Sequence, residues 1–230
     1  MNKRKICLII TTRGNYAKMK SVIEYIKADP DLELQVIVGG GAILPKYGIT
    51  ANALIDNDIK IDRVIHFLVE GENPITMAKS AGLAITGFGT AFENLCPDVV
   101  VVIADRFEAL AIAMTAGYMN IPIAHVEGGE VSGSIDESVR HANTRLAHLH
   151  FPATKQAAIR IERMGEEPDT IFPVGATSLD VIANLNLDDV GPVMEFQKSG
   201  GVGKIVDLTK PYIIVIQHPV TTEYEMNLAH

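Results

Sequence analysis

The amino-acid sequence predicts an α/β fold, in which helices cover both faces of a Rossmann-like, doubly wound parallel sheet. Short runs rich in β-branched residues alternate with longer helical stretches along most of the 230 residues. The run Val99–Ile103 is apolar at every position, as a central parallel strand must be when helices bury both of its faces. With 47% apolar and 21% charged residues, the composition is that of a globular protein.

Predicted strands and helices follow one another in a regular order as far as residue 178. Each predicted strand is a short, mainly β-branched run, and each predicted helix occupies a longer stretch between two such runs. The predicted strands are Lys5–Thr11, Leu32–Val38, Arg63–Leu68, Asp98–Ile103, Ile121–His125, His148–Phe151 and Ile171–Val174. The predicted helices are Tyr16–Lys27, Ile75–Leu95, Phe107–Tyr118, Ile135–Ala147 and Thr154–Arg163.

The chain after residue 178 differs in composition from the part before it. Residues 1–178 form the predicted Rossmann-like domain, and residues 179–209 are interpreted as a linker because they are polar and rich in glycine. The fully apolar run Pro211–Gln217 is expected to be a strand and, with the rest of 210–230, to open a second α/β domain that is largely absent. A strand without neighbours cannot bury its two faces. It therefore either joins the first sheet or belongs to a longer two-domain protein.

Charge and cysteine content narrow the possible partners and compartments. The formal charge of −8 argues against nucleic-acid binding, which needs a cationic face, although a local cluster of arginines can still hold a phosphate. No segment has the ~20 apolar residues of a membrane span, and the apolar run before Thr11 is too short for a signal peptide. Cys7 and Cys96 are too few for a disulfide framework. A cytoplasmic protein with reduced thiols is therefore expected.

Polar side chains follow several of the predicted strands at the point where each strand ends. Arg13 follows the first strand, while Asp105 and Arg106 follow the fourth. Glu127 follows the fifth strand, and His218 follows the apolar run near the end of the sequence. Ligands of open α/β sheets bind in the crevice at the carboxyl ends of the strands. These side chains are therefore expected to converge on one pocket.

Three glycine-containing segments fall short of familiar motifs. Gly39–Gly41 follows a strand but does not have the G-x-G-x-x-G spacing of a dinucleotide site. The pair Gly203-Lys204 lacks the first glycine of a Walker A loop, which disfavours an NTPase. The serine within Gly129–Gly133 lies one place too late for a G-x-S-x-G nucleophile elbow.

Several histidines and carboxylates leave more than one interpretation open. A set of potential metal ligands lies close together in sequence: His125, Glu127, His141, His148 and His150. Their spacing matches no established metal site, so packing and hydrogen bonding are favoured over a metal. On a strand, His125 and Glu127 would point the same way. Glu137 is open to either capping Ser134 or catalysis, while Asp136 beside it is free to face the crevice.

Five segments together resemble the UDP-N-acetylglucosamine 2-epimerase family. They are Thr12–Lys18, Ala104–Ala109, His125–His141, Leu146–Thr154 and Gln217–Thr222. The long His125–His141 block and the Gln217–Thr222 block are most similar to the hydrolysing branch of the family, which feeds sialic-acid-type sugar synthesis. The resemblance extends from residue 5 to about residue 223.

The resemblance implies a glycosyltransferase-B-like architecture, with the site in a cleft between two Rossmann-like domains. It implies conversion of UDP-N-acetylglucosamine, or a related diacetamido sugar, to the free 2-epimer plus UDP, without a metal or nicotinamide cofactor. It also implies a homodimer, with a UDP-sugar as the ligand.

The implied catalytic residues are Asp105, Glu127, Asp136, Glu137 and His218. The implied substrate-binding residues are Arg13, Lys18, Arg106, Arg140 and His141. The sequence departs from the family pattern by having Ala104 where a glycine is usual. The resemblance also implies a second domain after residue 230, so this sequence is interpreted as the N-terminal part of the family's two-domain chain.

The residue types agree with this chemistry. The C2 proton of a sugar becomes removable only as the anomeric C–O bond breaks, so the reaction needs a donor on the departing diphosphate and carboxylates around the ring. Three other functions remain possible from the sequence. They are a non-hydrolysing 2-epimerase, a glycosyltransferase of the same architecture, and an inactive binding or assembly module.

Overall fold

The computed structural model describes residues 3–71, 73–183, 185–186, 188–200, 202–208 and 210–216. The chain divides into two compact units, Met1–Asn184 and Leu185–His230. The strands described in the first unit are β1 Arg4–Ile10, β2 Leu32–Gly39, β3 Arg63–Ile65, β4 Val99–Ile103, β5 Ile123–Val126 and β6 Leu149–Phe151. Its helices are α1 Arg13–Ala28, α2 Thr50–Asp56, α3 Pro74–Leu95, α4 Phe107–Tyr118, α5 Ile135–Leu146, α6 Lys155–Arg163 and α7 Ser178–Ala183. In the second unit, α8 spans Gly191–Gly200.

Within the described residues, the six strands form one sheet in the order β3-β2-β1-β4-β5-β6, and all neighbouring pairs are parallel. The chain builds outward from β1 to β3, then returns to the other side of β1 with β4. This reversal of strand order opens a crevice at the carboxyl ends of β1 and β4. The predicted doubly wound parallel sheet is confirmed.

Apolar side chains pack against both faces of the sheet. On one face, the fully buried rings of Phe67, Phe88 and Phe92 pack in sequence, with centroid separations of 5.8 and 5.9 Å. On the other face, Met19 and Ile23 of α1 lie one helical turn apart and are buried against the strands. Each such side chain contributes about 2 kcal/mol of burial free energy. The core therefore holds the strand ends, and the turns that follow them, in fixed positions.

The helices begin where side chains satisfy their free N–H groups. Thr12 accepts a hydrogen bond from the Asn15 N–H at 3.1 Å, so α1 starts earlier than its apolar pattern alone predicted. Asn73 caps α3 in a reciprocal box with Thr76, and a proline occupies its first turn. Within the described ranges, no helix combines the length and the apolar character that a membrane crossing requires.

Three predicted strands differ from the structure. The third strand ends at Ile65 rather than Leu68, and the stretch Ile171–Val174 contributes only one isolated bridge, between His150 and Ile171. Residues 211–216 form no strand, and Gln217 lies outside the described residues. The side chain of Ile213, for example, is 89% exposed. An apolar run needs a neighbouring strand to complete its hydrogen bonds, and no described strand pairs with 211–216.

Candidate active site

An open pocket of about 290 Å³ lies at the carboxyl ends of β4, β5 and β6. Its lining residues are Lys18, Ala104, Asp105, Glu127, Glu130, Arg140 and Ala153. They come from α1, from the turns after the three strands, and from α5. The structure therefore brings together four of the residues that the sequence proposed for a site, namely Asp105, Glu127, Lys18 and Arg140.

The turn after β4 has a left-handed backbone at Ala104, with φ of 57°. That conformation costs an L-residue about 1–2 kcal/mol, and glycine avoids the cost. Two hydrogen bonds hold the turn, because the Ala104 carbonyl accepts from His125 Nε2 at 3.1 Å and from Asn143 Nδ2 at 3.2 Å. The turn directs Asp105 toward the pocket.

The turn after β5 begins with a second left-handed residue, Glu127, with φ of 60°. Gly128 then passes so close to His125 that an added Cβ would lie 2.8 Å from Nδ1 of the imidazole. Gly129 has φ of 79°, and its Cβ would lie 2.4 Å from the carbonyl oxygen of Ala157. The chain therefore turns sharply enough for both Glu127 and Glu130 to line one pocket. Strained backbone of this kind is concentrated at functional sites.

The strained turn also changes where Glu127 points. The strand β5 ends at Val126, so the rule that every second side chain lies on the same face of the sheet no longer applies at Glu127. The expectation that His125 and Glu127 point the same way is therefore wrong. Glu127 instead forms an ion pair with Lys18 of α1, and its side chain is 13% exposed. The shielding from water strengthens this attraction relative to a surface pair.

Asp105 forms the second ion pair of the pocket, with Arg140 of α5. The Arg140 side chain is only 8% exposed, and its other terminal nitrogen, Nη1, also donates. Nη1 donates to the Glu130 carbonyl at 2.8 Å and to Ser132 Oγ at 3.3 Å. One planar guanidinium thus ties the turn after β4 to the loop after β5.

The N-terminal turn of α5 carries Asp136 and Glu137, which do not line the pocket as described. Ser134 caps the helix by accepting from the Asp136 N–H at 3.3 Å. Glu137 reaches back to the N–H groups of Ser132 and Gly133, at 2.8 and 2.7 Å, rather than to that of Ser134. Hydrogen bonds from Gly133 and Ser132 lower the pKa of Glu137. His141, one turn further along, has Nε2 3.9 Å from Glu137 Oε1.

Two further proposed residues, Arg13 and Arg106, do not line this pocket. Arg13 is exposed at the first position of α1, near the carboxyl end of β1. Arg106 is half-exposed and donates through Nη2 to the buried Glu108 at 3.2 Å. His218 lies outside the described residues.

His125 has a structural role rather than that of a metal ligand. It is fully buried, with Nε2 against the Ala104 carbonyl and Nδ1 3.2 Å from Thr144 Oγ1. A carbonyl only accepts, so Nε2 carries the proton of the neutral ring. His148 also has a structural contact, because its Nδ1 accepts a hydrogen bond from the Ile123 N–H at 3.2 Å. Among the described residues, no three His, Cys, Asp or Glu side chains are grouped to hold a metal ion.

We expect acid to destabilise the fold because His125 must stay neutral in the folded chain. Burial lowers the pKa of His125 from 6.5 to about 4. Between those pH values the unfolded chain binds a proton that the folded chain excludes, so stability falls as the pH drops. The loss from this one group is about 3 kcal/mol when the pH falls through the whole window. Urea denaturation at a series of pH values measures it.

A His125→Gln variant is the control for this pH dependence. The glutamine amide does not titrate but can donate to the Ala104 carbonyl in place of Nε2. Wild type and variant both retain the buried His150, whose pKa burial also lowers, so the comparison isolates His125. Equal pH dependence in the two proteins would contradict the role assigned to His125.

Glu130 lines the pocket but is not among the site residues that were predicted from the sequence. It lies three positions after Glu127, in the same His125–His141 block, but no strand-end rule singled it out. The two intervening glycines were the available signal, because they let the chain turn and return a second carboxylate to the pocket.

An open parallel α/β sheet with paired carboxylates and cations at its carboxyl edge defines a Rossmann-like protein suited to acid–base chemistry. The chain belongs to the UDP-N-acetylglucosamine 2-epimerase family, whose sequence model matches residues 24–230. The resemblance inferred from the sequence is therefore confirmed.

Two relatives and one solved structure illustrate the similarity. The chain is 37% identical over 224 residues to the UDP-N,N'-diacetylbacillosamine 2-epimerase (hydrolyzing) of Legionella pneumophila, covering 96% of this chain and 57% of that protein. It is 34% identical over 225 residues to the GDP/UDP-N,N'-diacetylbacillosamine 2-epimerase (hydrolyzing) of Campylobacter jejuni, covering 96% and 56%. A crystal structure of UDP-N-acetylglucosamine 2-epimerase matches with a TM-score of 0.74 and 25% identity, over 85% of this chain and 52% of that one. The chain thus spans about half the length of these relatives.

Proposed function

We propose that the protein is a hydrolysing 2-epimerase. It converts UDP-N-acetylglucosamine, or a UDP-diacetamido sugar such as UDP-N,N'-diacetylbacillosamine, to the free 2-epimer plus UDP. The observation that carries the proposal is the pocket in which Asp105 and Glu127, from two neighbouring strand ends, each face the same cavity beside a cation. The activities for which the Legionella and Campylobacter relatives are named support the hydrolysing type and the diacetamido substrate.

Asp105 and Glu127 are proposed as the groups that exchange protons with C2 of the sugar. In the first step a base takes the C2 proton while the C1–O bond to the diphosphate breaks, which yields UDP and a 1,2-unsaturated glycal. In the second step an acid returns a proton to the other face of C2, and water adds to C1. The sum is hydrolysis with inversion at C2, and it involves no oxidation or reduction. Carboxylates on either side of the ring supply both proton transfers.

The other residues have supporting roles in the proposal. By the family resemblance, Arg106 and His218 would hold the departing diphosphate, and Arg13 would contact the nucleotide. Lys18 and Arg140 hold Glu127 and Asp105 in place through their ion pairs. Asp136, Glu137 and His141 belong to α5, the helix that also carries Arg140 of the pocket, and Glu137 binds the N–H groups of the preceding loop. They would contact the sugar or order that loop.

The compartment and the oligomeric state are further parts of the proposal. Both described cysteines are free thiols, and burial raises the pKa of Cys7 to about 12, so it is unreactive. Free thiols support action in the cytoplasm. The proposed role in the synthesis of sialic-acid-type sugars rests on the family resemblance. A homodimer is proposed on the basis of the family resemblance, and sedimentation analysis tests it.

Turnover in heavy water is the direct test of the function. The purified protein is incubated with UDP-N-acetylglucosamine or UDP-N,N'-diacetylbacillosamine, and products are followed by NMR. We expect UDP together with a free 2-epimer that carries deuterium at C2, because the returned proton comes from solvent. Glu127→Gln should lower the rate by a factor of about 100 or more, since an amide cannot transfer the proton.

Other outcomes identify the alternatives. Deuterium in intact UDP-sugar would indicate a non-hydrolysing epimerase, and sugar transfer to an acceptor without exchange at C2 would indicate a glycosyltransferase. Absence of turnover combined with micromolar UDP binding by calorimetry would leave a binding module.

A further inference from the structure

The pocket contains a third carboxylate, Glu130, which takes no part in the two proposed proton transfers at C2. Its side chain is 38% exposed and lines the same cavity as Asp105 and Glu127. Hydration of the glycal needs a further group besides those that exchange protons with C2. This group is a base, because the water that attacks C1 must lose a proton. A base for that step has to reach the cavity and have an oxygen available for water.

The partners of Glu130 differ from those of the other two carboxylates. Asp105 and Glu127 each accept a hydrogen bond from an adjacent cation, Arg140 or Lys18. Glu130 Oε1 instead accepts from the neutral hydroxyl of Thr154 at 2.9 Å. Its ion-pair partner Arg160 places Nη1 4.0 Å from Oε2, which is beyond hydrogen-bond distance. The Oε2 atom of Glu130 is therefore available to a water molecule.

The backbone on both sides of Glu130 is held rigidly. Arg160 Nη1 donates to the Gly129 carbonyl at 3.0 Å, and Arg140 Nη1 donates to the Glu130 carbonyl at 2.8 Å. The Thr154 hydroxyl also caps α6 by accepting from the Ala157 N–H at 3.1 Å, which fixes the group that holds Oε1. A base that is positioned before the reaction needs no reorganisation when water attacks.

We propose that Glu130 is the base that activates water in the hydration step, an assignment that rests on the proposed 2-epimerase function. Water bonds through its oxygen to C1 of the glycal, and one of its protons passes to Oε2 of Glu130. The electron pair of the C1–C2 double bond takes a proton at C2 from the acid of the pocket. Release of the free sugar and loss of the proton to solvent return Glu130 to its carboxylate form.

The test separates hydration from elimination by measuring both products. Glu130→Gln keeps an amide oxygen that can accept from Thr154, but the amide cannot take a proton from water. The variant is incubated with the UDP-sugar, and UDP, glycal and free 2-epimer are quantified. We expect the ratio of free 2-epimer to glycal to fall by a factor of at least about 100, the usual contribution of a general base. Supplying the glycal with UDP should show the same loss of hydration directly.

A matched variant and the wild type distinguish the ways in which the proposal can fail. Glu162→Gln makes the same chemical change at an exposed position of α6 outside the pocket, and its product ratio should equal that of wild type. If Glu130→Gln also has the wild-type ratio, whether or not its total rate is lower, Glu130 does not activate water, while the epimerase function stands. If wild type releases no UDP and hydrates no glycal, the proposed function fails, and the role of Glu130 fails with it. Thermal unfolding by circular dichroism confirms that the variants are folded.

Discussion

Replacing Gly129 with alanine is expected to destabilise the protein by about 3 kcal/mol or more. Gly129 has a left-handed backbone, with φ of 79°, which costs an L-residue about 1–2 kcal/mol. The new Cβ would also lie 2.4 Å from the carbonyl oxygen of Ala157, a backbone atom of α6 that cannot rotate away. Relief of such overpacking by backbone shifts costs about 1–3 kcal/mol more. Urea denaturation followed by circular dichroism measures the loss.

Gly133→Ala is the matched control for the Gly129 substitution. Gly133 is exposed and has a similar φ of 69°, but nothing lies within 4 Å of the position its Cβ would take. The control should lose only the conformational cost of about 1 kcal/mol. Losses of equal size at the two positions would show that the contact with α6 does not constrain the loop.

The second large effect is expected at Arg140. Arg140→Met removes the cation that pairs with Asp105 and leaves the Glu130 carbonyl without its donor. A partly buried carboxylate without its counter-ion costs about 3–5 kcal/mol. The proposed epimerase activity should fall by a factor of about 100, because both Asp105 and the loop that carries Glu130 lose their shared anchor. Denaturation and steady-state turnover measure the two losses separately.

A double-mutant cycle with Asp105→Asn tests the cause of the Arg140 effect. Asparagine is neutral, so removing Arg140 from the Asp105→Asn variant leaves no unpaired charge and should cost much less stability than in wild type. Arg163→Met, at an exposed position of α6, controls for loss of an arginine in general. Additive losses in the cycle would be inconsistent with Arg140 acting through Asp105.

The secondary structure could be predicted largely because it follows local patterns. The helix Phe107–Tyr118 has the predicted limits, and Val99–Ile103 forms an inner strand as its apolar run indicated. The prediction failed where an element depends on a neighbour, as at residues 211–216, since apolar character alone does not supply a strand to pair with. Short helices such as α2 and α7 were also missed, because six or seven residues carry too little periodic signal.

The composition of the site could be predicted only in part. Asp105 and Glu127 were expected at strand ends, and both line the pocket. Glu130 was not expected, since its return to the pocket depends on the sharp turn through Gly128 and Gly129. The capping interpretation of Glu137 identified its structural role but assigned the wrong N–H groups, because the pairing depends on how the Ser132–Gly133 turn folds.

The sequence by itself determined the parallel sheet and the edge at which polar side chains collect, because burial on two faces imposes a pattern on each strand. Only the tertiary structure decided which charges meet. Lys18 and Glu127 are 109 positions apart, and Asp105 and Arg140 are 35 positions apart. Their contacts depend on the left-handed turns at Ala104 and Glu127, which the packing of α5 and α6 supports and which local preference alone would disfavour.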